Sequence, residues 1–138
     1  MTREGMRGMT GFLNVDLDVL EGGSCELHRA LSQYMERVGC GPEMSSYELR
    51  FQSRTVEEAL GAICEVLESL PAGLLQEVGK SCRVIANVGT AISEESLRSR
   101  VGTAVIEVSV DRLLLERLAG VGVSLAVSVY VLATDVPS

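Results

Sequence analysis

The chain is poor in the residues that most chemistry needs. It holds one histidine, His28, and its four cysteines at 25, 40, 64 and 82 include no C-x-x-C pair. Such wide gaps speak against a zinc site. There is no Walker loop and no H-E-x-x-H. Ser93, Ser96 and Ser99 lack a G-x-S-x-G setting, so phosphate-cradling, zincin and nucleophile-elbow chemistries have no footing. Basic residues are not interleaved with aromatics, and the net charge is −7. A polyanion such as nucleic acid would be repelled. No apolar run follows Met1-Thr2-Arg3-Glu4, so no export signal is read there. The expectation is a cytoplasmic protein with free, partly buried thiols.

Long hydrophobic runs are missing too. Leu118 to Ala133 carries no charge, but it is shorter than the ~20 apolar residues a spanning helix needs. Its Val-rich alternation suits a pleated strand, so no membrane partner is expected. Gly120-Val121-Gly122 follows a helix pattern and precedes a strand, the reverse of a phosphate loop, and reads as a helix C-cap.

What is present is a regular alternation of strand and helix patterns. With 138 residues and 46 % hydrophobic content, the chain suffices for one domain with a core. Residues 1–10 and 135–138 read as tails around a domain spanning 11–134. Phe12 to Leu20 alternates strictly, Leu13, Val15, Leu17 and Val19 against Asn14, Asp16 and Asp18. Ser24 caps a helix whose apolar stripe runs Leu27, Ala30, Leu31, Tyr34, Met35 and Val38, closed by Gly39-Cys40-Gly41-Pro42. A strand from Ser46 to Gln52 is expected to point Tyr47, Leu49 and Phe51 inward. Thr55-Val56-Glu57-Glu58 is a capping box for a helix reaching Leu70, and Pro71 to Gly79 forms a shorter one. Cys82 to Val88 is a strand, and Ala91 to Gly102 an irregular loop.

The pattern is densest from Thr103 to Leu132, which reads strand (Val105–Val110), helix, strand. In the last strand Val123, Leu125, Val127, Val129 and Val131 are expected to face the core. The fold class that results is α+β: a two-layer sandwich with about five strands in a mixed sheet and three or four helices on one face.

Two sites were weighed for chemistry. Asp16 and Asp18 share a strand face at roughly 7 Å, a spacing that suits a hard cation only with more oxygen ligands than Asn14, Glu48 or Glu107 add. His28 lies one helical turn from Cys25, yet no third group orients the pair as catalysis requires. No catalytic residue, cofactor or metal site is assigned, and the chain is read as a non-enzyme. What remains is the polar side of the strands. Asp16, Asp18, Glu48, Arg50, Arg83, Asn87, Glu107, Ser128 and Tyr130 are the candidate partner-binding residues.

The C-terminal unit carries a resemblance. Ile106-x-Val108-Ser109-x-Asp111-x-Leu113, then Leu118-Ala119-x-Val121-Gly122-Val123-Ser124-Leu125, then Val127-x-Val129-Tyr130 resembles the ending of a family of small uncharacterised bacterial α+β proteins, a domain of unknown function. Similar small acidic proteins occur among the immunity proteins of polymorphic toxin systems. The likeness spans Ser46 to Leu132 in pattern and the last thirty of those residues in letters, and it implies no catalytic residues. It implies a protein that binds and masks a basic toxin domain through its open sheet face. Self-association as a homodimer is a further option. The alternative is a small-molecule-binding or minor enzymatic domain of ferredoxin-like build, with Asp16, Asp18, His28 and Arg50 lining a cleft beside the Ala91–Gly102 loop.

Overall fold

A computed structural model describes residues 11–20, 23–41, 43–98 and 106–133. The expected tails lie outside these residues, as do Val105 and positions 99–102 of the expected loop. The elements are β1 (Gly11–Leu20), α1 (Cys25–Tyr34), β2 (Met35–Cys40), β3 (Met44–Leu49), α2 (Val56–Glu68), α3 (Ala72–Glu77), β4 (Arg83–Ser93), α4 (Glu94–Arg98), α5 (Arg112–Gly120) and β5 (Val123–Leu132). The five strands form one open mixed sheet in the order β2-β3-β1-β4-β5. Among the described strand pairs only β4–β5 is parallel. The α+β class and the five-stranded mixed sheet are therefore as expected.

The alternation of β1 explains its central place. Val15, Leu17 and Val19 are buried on one side, and both neighbours pair with it antiparallel. On that side they meet Leu27 and Leu31 of α1, and Ala59, Leu60, Ile63 and Leu67 of α2. Helix starts follow their caps. The Ser24 hydroxyl accepts from the Leu27 N–H at 3.1 Å, that of Thr55 from the Glu58 N–H at 3.1 Å, and the Asp111 carboxylate from the Leu113 N–H at 2.7 Å. Glu77 adds a tertiary clamp at the first of these, accepting from the Ser24 N–H at 2.5 Å and its hydroxyl at 2.9 Å. The negative carboxylate sits where the α1 dipole is positive.

Two turns meet backbone to backbone. Gly79 and Gly122 both hold positive φ, 81° and 78°. A Cβ on Gly79 would stand 2.8 Å from the Gly122 carbonyl oxygen, and one on Gly122 2.7 Å from that of Val78. Only glycine fits either place, and their contact aligns the starts of β4 and β5.

The structure corrects four element readings. The α1 stripe does not continue to Val38: the helix stops at Tyr34 and Met35–Cys40 becomes β2, paired with β3. A hairpin partner for β3 outweighs a further helical turn that would run into Gly39 and Gly41. Phe51 lies beyond β3 and is half exposed rather than inward. The region read as an irregular loop begins with the end of β4 and continues as α4. Finally, Ile106 to Val110 is not a strand. Val108 and Val110 instead pack against the core outside any strand, so alternation here reports a covering segment and not a ladder.

The last strand departs furthest. Val123 is 7 % exposed, whereas Val127, Val129 and Val131 are 49, 55 and 57 % exposed. They belong to the side that the helices cover elsewhere, since Val127 is in register with Val88 and Val131 with Ile92. But β5 is the outermost strand among the described residues, and of its apolar side only Val123 joins the core, with Leu118 of α5 and Val121 just after it.

Candidate functional site: the uncovered side of the sheet

The side of β1 opposite the core presents Asn14, Asp16 and Asp18. Register brings other strands' polar residues beside them. Glu36 of β2 pairs with Glu48 of β3, Glu48 with Asp16 of β1, and Asp16 with Asn87 of β4. Cross-strand partners project to the same side, so Glu36, Glu48 and Asp16 stand in a row across three adjacent strands. Among the described residues no lysine or arginine forms an ion pair with any of them. Like charges directly opposed weaken a sheet. The Asp16 carboxyl registers this: partial burial, then the charges of Glu48 and Asp18, push it up to about 6.

Beside this row runs a chain of hydrogen bonds. The Ser46 hydroxyl donates to Asp18 Oδ1 at 2.8 Å, the Asn87 amide to Asp18 Oδ2 at 3.4 Å, and the Ser128 hydroxyl to Asn87 Oδ1 at 2.8 Å. Side chains of four strands are thereby held in one arrangement, which lowers the ordering cost of docking a partner. Asn14 donates to Asp16 at 3.2 Å. Its side chain and the half-exposed ring of Tyr130 flank Gly89, where a Cβ would meet Asn14 Oδ1 at 2.6 Å and Tyr130 Cε2 at 3.6 Å. At the far end of this side Ala91 and Ser93 are buried, which bounds the exposed area.

Of the nine candidate residues, Asp16, Asp18, Glu48, Asn87, Ser128, Tyr130 and the exposed Arg83 lie on this side of the sheet. Two do not belong to it. Arg50 lies past the end of β3 and donates to the carbonyls of Ser32 at 2.6 Å and Met35 at 3.4 Å. It satisfies the C-terminal end of α1, where a cation is favoured, and is no free anchor. Glu107 lies on the covering segment outside the sheet, where it accepts from Ser109 at 3.3 Å. Sequence reasoning missed Glu36, because the strand that carries it reads as helix. The signal was Val38-Gly39-Cys40-Gly41-Pro42, too rich in breakers for a last helical turn.

His28 of α1 is tied to β3. Its Nδ1 lies 2.5 Å from the Tyr47 hydroxyl, with which it shares a hydrogen bond, and the two rings stack at 6.0 Å. Tyr47 is fully buried, so the pair closes the rim of the core. Among the described residues Cys25, Cys64 and Cys82 are free thiols, and burial pushes those of Cys64 and Cys82 up. No group of three His, Cys, Asp or Glu among the described residues is placed to hold a metal ion. No described helix is long and apolar enough to cross a membrane. A cavity of about 450 Å³ opens beside Glu48, the middle member of the acidic row, lined also by Asn14, Arg50 and Phe51 among others.

No family model, curated protein or solved structure matches this chain.

Proposed function

We propose that this chain is a non-enzymatic protein-binding domain that docks a basic partner on the uncovered side of its sheet, in the manner of an immunity protein masking a toxin. The observation that carries this reading is the row Glu36–Glu48–Asp16. Three carboxylates are set opposite one another without a cation of the described chain among them. Folding bears a repulsion that a partner's lysines or arginines would relieve. The ordered Ser46–Asp18–Asn87–Ser128 chain supplies fixed hydrogen-bonding groups beside it. Tyr130 adds an aromatic of the kind that anchors interfaces.

Charge reversal tests this. Affinity capture with the wild-type chain is expected to recover one basic protein at stoichiometric yield, and Glu48→Lys to lose it, with the thermal midpoint of the free domain unchanged or raised. Recovery of the same protein by Glu48→Lys and by Tyr130→Ala as well would defeat the reading. Binding also has a pH signature. A nearby cation lowers the Asp16 carboxyl from about 6, so docking releases a proton below that pH. Affinity is expected to rise as pH increases from 5 to about 7.

A further inference from the structure

We infer that a second copy of this chain docks on β5, edge to edge and antiparallel, to make one continuous sheet across a two-fold axis at Ser128. The inference does not rest on the proposed function: it concerns the free edge of β5 and its helix-side valines, although Ser128 and Tyr130 of that strand also border the proposed docking side.

Three observations converge on that strand. First, β5 pairs only with β4 among the described residues and is the outermost strand of the sheet. Its other side presents backbone N–H and C=O groups ready for a strand partner. It runs ten residues in unbroken register, with none of the usual guards: no charge, no proline and no bulge. Second, Leu125, Val127, Val129 and Val131 form an exposed apolar stripe on the helix side. Exposed Leu113 and Leu115 of α5 add to the apolar surface of this half of the molecule. Third, the strand is complementary to itself. Antiparallel pairing about Ser128 sets Leu125 against Val131 and Val127 against Val129, apolar against apolar throughout. On the other side it sets Ala126 against Tyr130 and Ser128 against its own copy.

Charge selects the occupant. The chain is strongly acidic, −7 overall, so most of its surface repels a second copy. The stretch from Leu118 to Ala133 carries no charge at all. Two copies can meet there without juxtaposing carboxylates, while a charged partner strand would find nothing to pair with. A two-fold axis normal to the sheet keeps both helix layers on one side. Both copies of the hydrogen-bonded chain ending at Ser128 then meet on the other. The contact is isologous and closes on itself.

Sedimentation of the full chain over a wide concentration range reads this directly, and a concentration-dependent dimer is expected. The double variant Val127→Lys, Val129→Lys sets lysine opposite lysine twice across the axis. It is expected to weaken association at least about a hundredfold, since directly opposed like charges are repulsive, with unchanged circular dichroism because both side chains are already half exposed. As a second probe, Ser128→Cys puts a thiol opposite its own copy. Opposed residues of an antiparallel pair lie about 4.5–5.5 Å apart at Cα, within disulfide reach. Mild oxidation is then expected to link this variant as a dimer, whereas the wild-type chain with its own cysteines stays unlinked. A monomer at every concentration would overturn the inference, whether the strand is covered by another segment of the chain or by a different protein. So would a dimer that survives the double lysine variant. Glu48→Lys is expected to leave the dimer intact. Loss of partner capture with the dimer retained therefore bears on the proposed function alone.

Discussion

The two edges of this sheet are built on opposite rules. The β2 edge is six residues long, carries Glu36 and Arg37, and shifts register between Arg37 and Gly39. Length, charge and bulge each discourage another strand from adding there. Arg37 is also tied inward, donating to the Ser45 hydroxyl at 2.6 Å with its guanidinium 6.0 Å from the Tyr47 ring. The β5 edge is ten residues long, uncharged and in continuous register. Among the described residues one edge is closed to company and the other is left open, within a single fold. The difference teaches that exposed valines here are not a failure of packing. Among the described residues, the devices that guard β2 are absent from β5.

The contrast predicts a graded set of effects. The largest is at the centre of the sheet. Leu17→Ala removes a fully buried side chain and is expected to cost about 3 kcal/mol, about 10 °C in the thermal midpoint for a chain of this size. Val129→Ala, on the same core-facing side but half exposed, is expected to cost under about 0.5 kcal/mol at concentrations where the chain is monomeric. Equal losses would show that β5 serves the monomer's core and would erase the distinction. Next comes the guarded edge. Arg37→Ala is expected to cost about 1 kcal/mol by chemical denaturation, through the lost Ser45 contact, while leaving self-association unchanged.

An effect of similar size belongs to the acidic row and depends on pH. The Asp16 carboxyl is raised to about 6 in the fold from 3.8, so the folded chain holds a proton that the unfolded chain has released across that window. This group's contribution therefore favours folding below about pH 4 and is lost as pH rises to 6 and beyond. Asp16→Asn is expected to raise the midpoint by about 3 °C at pH 7.5, or about 1 kcal/mol once solvent screening of a half-exposed group is allowed for. At pH 4 it is expected to change nothing. The smallest effect is at the exposed Arg117–Glu68 pair, where the guanidinium meets the carboxylate at 2.5 Å. Arg117→Ala is expected to leave the midpoint unchanged within error, because surface pairs are screened.

Much of this was legible in the residues. Strict alternation in β1 gave its two sides, and the same parity on β4 placed Asn87 with Asp16. The caps at Ser24 and Thr55 located helix starts. What the residues concealed was neighbourhood. Alternation says which side chains share a face, not which strand lies outermost, so the apolar set of β5 read as core although nothing described covers most of it. It also cannot tell a ladder from a covering segment, hence the misassigned Ile106 to Val110. In the candidate site, Asp16, Asp18, Glu48, Asn87 and Ser128 followed from parity alone. Arg50 did not, because its partners are carbonyls of α1, a contact made only once the chain has turned back on itself. Glu36 was hidden by an apolar stripe whose spacing continues through Met35 to Val38, four residues beyond the end of its helix.

Backbone hydrogen exchange of the two edge strands, followed at low and high protein concentration, tests the difference between the edges most directly. Amide protection along Val123–Leu132 is expected to increase with concentration as the second copy docks, while that along Met35–Cys40 stays constant. Protection of β5 that is the same at both concentrations, or that rises equally in β2, would contradict the account.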